Sequence, residues 1–164
     1  MANTACSQSG QKEQLINRYK SMEMDKRPVY FPLPQKSFIR ISSGFGVRKH
    51  PILKVDKFHP GLDMVAKKGT PIYASANGKV IRASFSPTYG NVVVIDHNEG
   101  YKTLYAHMTA FKVKKDQEVK QGTIIGYVGS TGRSTGPHLH FEILLKDKKI
   151  DPFKYWTLIM DRWK

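Results

Sequence analysis

Pro71-Ile72-Tyr73-Ala74-Ser75-Ala76-Asn77-Gly78-Lys79-Val80-Ile81-Arg82-Ala83 reads as two short runs on either side of an Asn-Gly pair. Asn and Gly both tolerate positive φ, so this pair predicts a two-residue turn and a hairpin joining residues 71–75 to 79–83. The same texture continues outward. Asn91-Val92-Val93-Val94-Ile95-Asp96 and Tyr101-Lys102-Thr103-Leu104-Tyr105 flank the turn residues His97-Asn98-Glu99-Gly100. Further strands are predicted over 123–128 and 139–145, because short β-branched and aromatic runs alternate with turn residues. Between them Gly129-Ser130-Thr131-Gly132-Arg133-Ser134-Thr135-Gly136-Pro137 is all loop-forming. From about residue 38 the expected class is mostly β.

Residues 1–37 differ in texture. Leu15, Tyr19 and Met22 recur at i, i+4, i+7 and predict one narrow helix stripe, after which Pro28, Pro32 and Pro34 should hold the chain extended as a linker. The expected division is 1–37 as polar helix and linker, 38–153 as the working domain, and 154–164 as a helical tail.

With 164 residues, 40% of them hydrophobic, the chain has material for one packed core, which excludes wholesale disorder. Lys+Arg exceed Asp+Glu by 27 − 13 = 14 charges. That excess attracts anionic partners without choosing among nucleic acid, lipid and wall polymer. The lysines are scattered rather than interleaved with stacking aromatics on one face, so no specific nucleic-acid partner is expected. A single cysteine, Cys6, excludes an internal disulfide and a Cys-rich zinc finger.

Chemistry concentrates in four of the six histidines and one aspartate. His138-Leu139-His140 places two imidazoles two residues apart, so a strand presents both on one face and turns Leu139 to the core. In His59-Pro60-Gly61-Leu62-Asp63, Pro and Gly argue against a helix, and an extended i, i+4 pair again shares a face. Two imidazoles and a carboxylate are the donors zinc accepts in three-ligand catalytic sites. Five candidates, His59, Asp63, His107, His138 and His140, leave two for acid–base work, and His107 follows a predicted strand where such a helper fits. His50 is expected at a rim and His97 exposed in its turn. Tyr105 and Tyr127 are expected as packing residues, and 129–136 as a groove wall.

Phe58-His59-Pro60-Gly61-Leu62-Asp63, Gly69-Thr70-Pro71-Ile72-Tyr73-Ala74, Tyr105-Ala106-His107-Met108 and Gly136-Pro137-His138-Leu139-His140-Phe141-Glu142 together resemble the lysostaphin-like (LytM-type) zinc endopeptidases. The resemblance spans about residues 42–153 and includes Ser43-Gly44-Phe45-Gly46 and Gly122-Thr123-Ile124-Ile125-Gly126. It implies an antiparallel β domain with an open groove, one Zn²⁺ held by His59, Asp63 and His140, and His107 and His138 as non-ligating catalytic helpers. It also implies hydrolysis of peptidoglycan stem peptides or crosslinks in wall remodelling or lysis, with the D,D-endopeptidase type expected and glycine bridges the other bond that the family cleaves. Degenerate relatives act as non-catalytic activators of other hydrolases. That is the alternative, and the intact set of five argues against it.

Such substrates imply an extracytoplasmic bacterial location: periplasm, outer membrane or cell surface. Residues 1–30 hold no apolar run of secretory type. Thr4-Ala5-Cys6-Ser7 resembles the end of a lipoprotein signal, so Cys6 is the expected lipid anchor, with residues 7–37 as a tether. Cys6 is not expected to be a nucleophile, and a monomer is expected.

Overall fold

The computed structural model describes residues 26–49 and 54–161. The predicted N-terminal helix, Cys6 and His50 lie outside them. Period-2 alternation builds the centre of the sheet. In β4 (Leu62–Ala66), Leu62, Met64 and Ala66 are buried while Asp63 and Val65 face the other way. In β11 (His138–Leu145), Leu139, Phe141 and Ile143 enter the core, and His138, His140 and Glu142 share the opposite face. Leu139 is 0% exposed, as the His-x-His reading requires.

The sheet is antiparallel. Its main order is β1 (Phe38–Ser43), β4, β11, β8 (Tyr101–Phe111), β7 (Gly90–Asp96), β6 (Gly78–Ser86) and β9 (Glu118–Val119). β10 (Ile124–Val128) joins β8 to β5 (Pro71–Tyr73), and β12 (Lys148–Ile150) returns against β11. β2 (Gly46–Lys49) and β3 (Asp56–His59) form a separate two-stranded sheet. Register aligns His140 with Asp63 on one side and with Ala106 on the other, which puts the histidine pair, the aspartate and His107 on three adjacent strands.

One end of the chain is legible in its capping. Asp151 accepts backbone N–H bonds from Phe153 and Lys154, and Pro152 opens α1 (Pro152–Asp161). Trp156 of α1 stacks on Phe141 at 5.4 Å and donates its indole N–H to the Pro28 carbonyl. Phe31 packs between Phe38 and Trp156, Leu33 is buried, and Tyr73 donates its N–H to the Pro32 carbonyl. The proline-rich segment therefore lies against the core.

The Asn77-Gly78 hairpin is corrected by the structure. β5 pairs with β10 and β6 with β7 and β9, so the chain crosses between partners instead of turning back. Neither residue has positive φ. The Asn77 carbonyl accepts from His97 Nδ1 at 2.8 Å, and its side-chain oxygen accepts from Gln121 N–H at 2.7 Å. A Cβ at position 78 would meet the Asp96 carbonyl and the His97 ring, so glycine serves close approach here. His97, expected exposed, is 0% exposed and pairs with Thr103 Oγ1 at 2.7 Å through Nε2. The second hairpin is present: β7 and β8 pair across Asn98, Glu99 and Gly100, all at positive φ.

Candidate metal centre and active site

β3 ends at His59, and two residues later the chain enters β4 and reaches Asp63. Gly61 permits this path, because a Cβ there would collide with the Phe141 carbonyl and the Glu142 side chain. His59 Nε2 lies 3.1 Å from Asp63 Oδ1, His140 Nδ1 lies 2.8 Å from the same oxygen, and the two ring nitrogens are 3.2 Å apart. His59 and His140 are 6% and 4% exposed.

Proton bookkeeping shows what this trio is built for. His59 donates Nδ1–H to the Gly44 carbonyl at 2.7 Å, and His140 donates Nε2–H to Glu142 Oε1 at 2.9 Å. In neutral rings the inward nitrogens then carry lone pairs, so two lone pairs and a carboxylate oxygen converge with no proton among them. Such a set fits a cation, and it is the nitrogen–oxygen donor set of a three-ligand zinc site. Left to themselves, Asp63 and His140 favour a shared proton instead, the carboxyl held ionised and the imidazole drawn toward its charged form. Burial works to raise the Asp63 pKa, but hydrogen bonds with His140 and His59 outweigh it and hold the carboxyl far below its usual range. Burial works to lower His140, and its bonds to Asp63 and Glu142 reverse that.

His107 and His138 complete the cluster, their rings 4.7 Å apart. His138 Nε2 is 3.7 Å from Asp63 Oδ1, and the His107 ring is 5.9 Å from that of His140. His107 donates Nδ1–H to the Thr131 carbonyl at 2.7 Å, and His138 donates Nδ1–H to the Gly136 carbonyl at 2.8 Å. Each neutral ring thus offers Nε2 as a base. Burial pushes the His107 pKa down despite the Thr131 bond, and the neighbouring His138 and His140 push it further. The backbone of His107 sits at φ 60°, inside the register break between β8 and β7 that falls between Tyr105 and Met108.

All five sequence candidates therefore meet in one place. Sequence reasoning passed over Glu142, although it shares the face of His138 and His140 at the same period of two. It also passed over Tyr89 and Lys149, which reach Glu142 from elsewhere. Of the residues expected only to pack, Tyr105 is fully buried, its hydroxyl bonded to Ser75 N–H and Thr103.

The chain matches the model of peptidase family M23 over residues 57–152. It is 48% identical over 115 residues to the DD-carboxypeptidase/endopeptidase Mpg of Neisseria meningitidis, an alignment covering 70% of this chain and 26% of that protein. A zinc-containing peptidase from Vibrio cholerae superposes with a TM-score of 0.70 at 43% identity, over 74% of this chain and 37% of the other. The lysostaphin catalytic domain of Staphylococcus simulans gives 0.65 at 33% identity, over 72% and 92%. The chain spans about a quarter of the Neisseria relative's length. With the family model covering the strands that carry all five clustered side chains, this chain belongs to peptidase family M23, the lysostaphin-like endopeptidases.

Proposed function

We propose that this chain is a zinc-dependent endopeptidase unit that hydrolyses peptide bonds in peptidoglycan stem peptides or crosslinks, with D,D specificity. The observation that carries the reading is the trio of inward-facing lone pairs, flanked by two imidazoles whose outer protons are committed to backbone carbonyls. The name of the Neisseria relative supports the bond class.

His59, Asp63 and His140 would hold one zinc ion. Bound there, it would supply Lewis acidity, lowering the pKa of water toward about 7 and polarising a carbonyl. His107 and His138 are the proposed catalytic residues. The Nε2 of each can accept the proton of an attacking water and return it to the leaving amine. Burial keeps His107 neutral near pH 7, the form a base requires. Once protonated, the same Nε2–H can donate to the developing oxyanion. Water attacks directly, so no acyl-enzyme forms.

The working unit takes in residues 38–153 together with 28–33 and α1, which pack on its core. One copy holds every residue invoked, consistent with a monomer. The substrate places the protein outside the cytoplasmic membrane. Among the described residues no helix is long and apolar enough to cross one, and Cys6 is the proposed lipid anchor.

The test combines metal analysis with digestion of purified sacculi and defined crosslinked muropeptides. Stoichiometric zinc and release of uncrosslinked peptides are expected. His140→Ala should lose metal, and His107→Ala should keep it while losing most turnover. A metal-replete protein that cleaves nothing would favour the activator alternative, and cleavage without metal would overturn the mechanism.

A further inference from the structure

Glu142 is 0% exposed, and its carboxylate gathers groups from three segments. His140 donates Nε2–H to Oε1 at 2.9 Å, and Tyr89, just before β7, donates its hydroxyl proton to the same oxygen at 2.8 Å. Lys149 on β12 places Nζ 3.1 Å from Oε2, and at 3.3 Å from both Oε1 and the Tyr89 hydroxyl. A carboxylate taken this far from water is costly unless it is paired and hydrogen-bonded.

The route that brings Lys149 there is specific. β11 and β12 are joined by Lys146 and Asp147, at φ 50° and 61°, a two-residue turn of the primed kind built without glycine. Leu144 then faces Lys149, and the long side chain reaches diagonally back along β11 to Glu142. Neither Tyr89 nor Lys149 is hydrogen-bonded to His59, Asp63 or His140; Lys149 reaches the metal position through Glu142, and Tyr89 reaches it through Glu142 and through its ring, 5.7 Å from that of His140.

We propose that the Tyr89–Glu142–Lys149 brace is a positioning device for His140, making the β11–β12 hairpin a working part of the metal centre. This rests on the reading of His140 as a ligand. The brace fixes Glu142 as the acceptor for Nε2–H and thereby keeps the Nδ1 lone pair facing Asp63 and His59. An imidazole released from Glu142 can turn over or change tautomer, presenting a C–H or N–H edge where a cation needs a lone pair.

The experiment uses the whole chain and two readouts: zinc affinity by competition with a chromophoric chelator, and the His140 tautomer in metal-free protein by nitrogen-15 NMR. Glu142→Ala should weaken zinc binding about 10–100-fold, with Glu142→Gln milder because its carbonyl still accepts from Nε2–H. Glu142 is buried, so the deciding variants are Lys149→Met at a partly exposed site and Tyr89→Phe. Each should cost about 3–10-fold in affinity and mix the His140 tautomers, and Lys149→Arg should restore both. Wild-type affinity and a single wild-type tautomer in both Lys149→Met and Tyr89→Phe would overturn the brace. If the unaltered chain binds no zinc, the ligand reading of His140 fails instead, and the tautomer measurement alone still decides the brace.

Discussion

The Nδ1 proton of His107 lands on the Thr131 carbonyl at 2.7 Å, from a backbone held at φ 60°. A non-glycine residue at that angle is strained by about 1–3 kcal/mol and persists where its surroundings over-determine it. In the proposed mechanism this strain would aim the His107 base. His107→Ala is expected to retain zinc while losing about 10²–10⁴-fold in turnover. Zinc content beside muropeptide cleavage rates is the check, and a variant with normal turnover would contradict the assignment.

Gly61 should not accept a side chain. A Cβ there meets the Phe141 carbonyl and the Glu142 side chain at the crossing from β3 into β4. Gly61→Ala is expected to destabilise the fold by about 1–3 kcal/mol through overpacking. It should also weaken metal binding, because the same crossing spaces His59 from Asp63. Chemical denaturation with a zinc titration tests both.

Metal removal should be read in stability as well as rate. An ion bound to folded ligands and not to the unfolded chain adds about 2.7 kcal/mol at a hundredfold excess over its Kd. Chelation is therefore expected to lower Tm, and stoichiometric zinc to restore it. His140→Ala should show no such response, and calorimetry of both proteins is the measurement.

His97 predicts a pH dependence remote from the metal. Its burial pushes the imidazole pKa below 6.5, against opposing contributions from the Asn77 carbonyl and Asp96. Above about pH 6.5 both folded and unfolded states are neutral there. As pH falls through that value the unfolded chain takes up a proton that the folded chain refuses. Stability should drop toward acid by up to about 1.4 kcal/mol per pH unit, until the lowered folded pKa is reached. His97→Gln should flatten that slope between about pH 7.5 and about pH 5.5 in urea titrations.

Strict alternation made the centre of the molecule readable. His138, Leu139 and His140 could be assigned to faces from sequence alone because a strand has no other way to place them. A helix is expected over 154–164, and it begins two residues earlier at Pro152, behind an Asp151 cap that sequence reasoning passed over. What else escaped depends on distant partners. Asn77-Gly78 carries the chemistry of a turn, but the requirement was close packing against Asp96 and His97. The Lys146-Asp147 turn escaped because it lacks the glycine that usually marks positive φ. Glu142 lay in plain view, yet nothing in the sequence tells a buried carboxylate from a solvated one until Tyr89 and Lys149 arrive beside it.

Thr131 is tied three ways: its hydroxyl accepts from Asn91 N–H and donates to the Met108 carbonyl, and its own carbonyl takes the His107 proton. Around it Gly90 and Gly132 come so close that neither has room for a Cβ. On the proposed reading of His107 as a base, the 129–136 loop and that base are thus tied to each other through one residue. A peptide that displaced the loop would then tilt the imidazole as well, and selectivity against wide substrates would show in the catalytic rate rather than in adhesion.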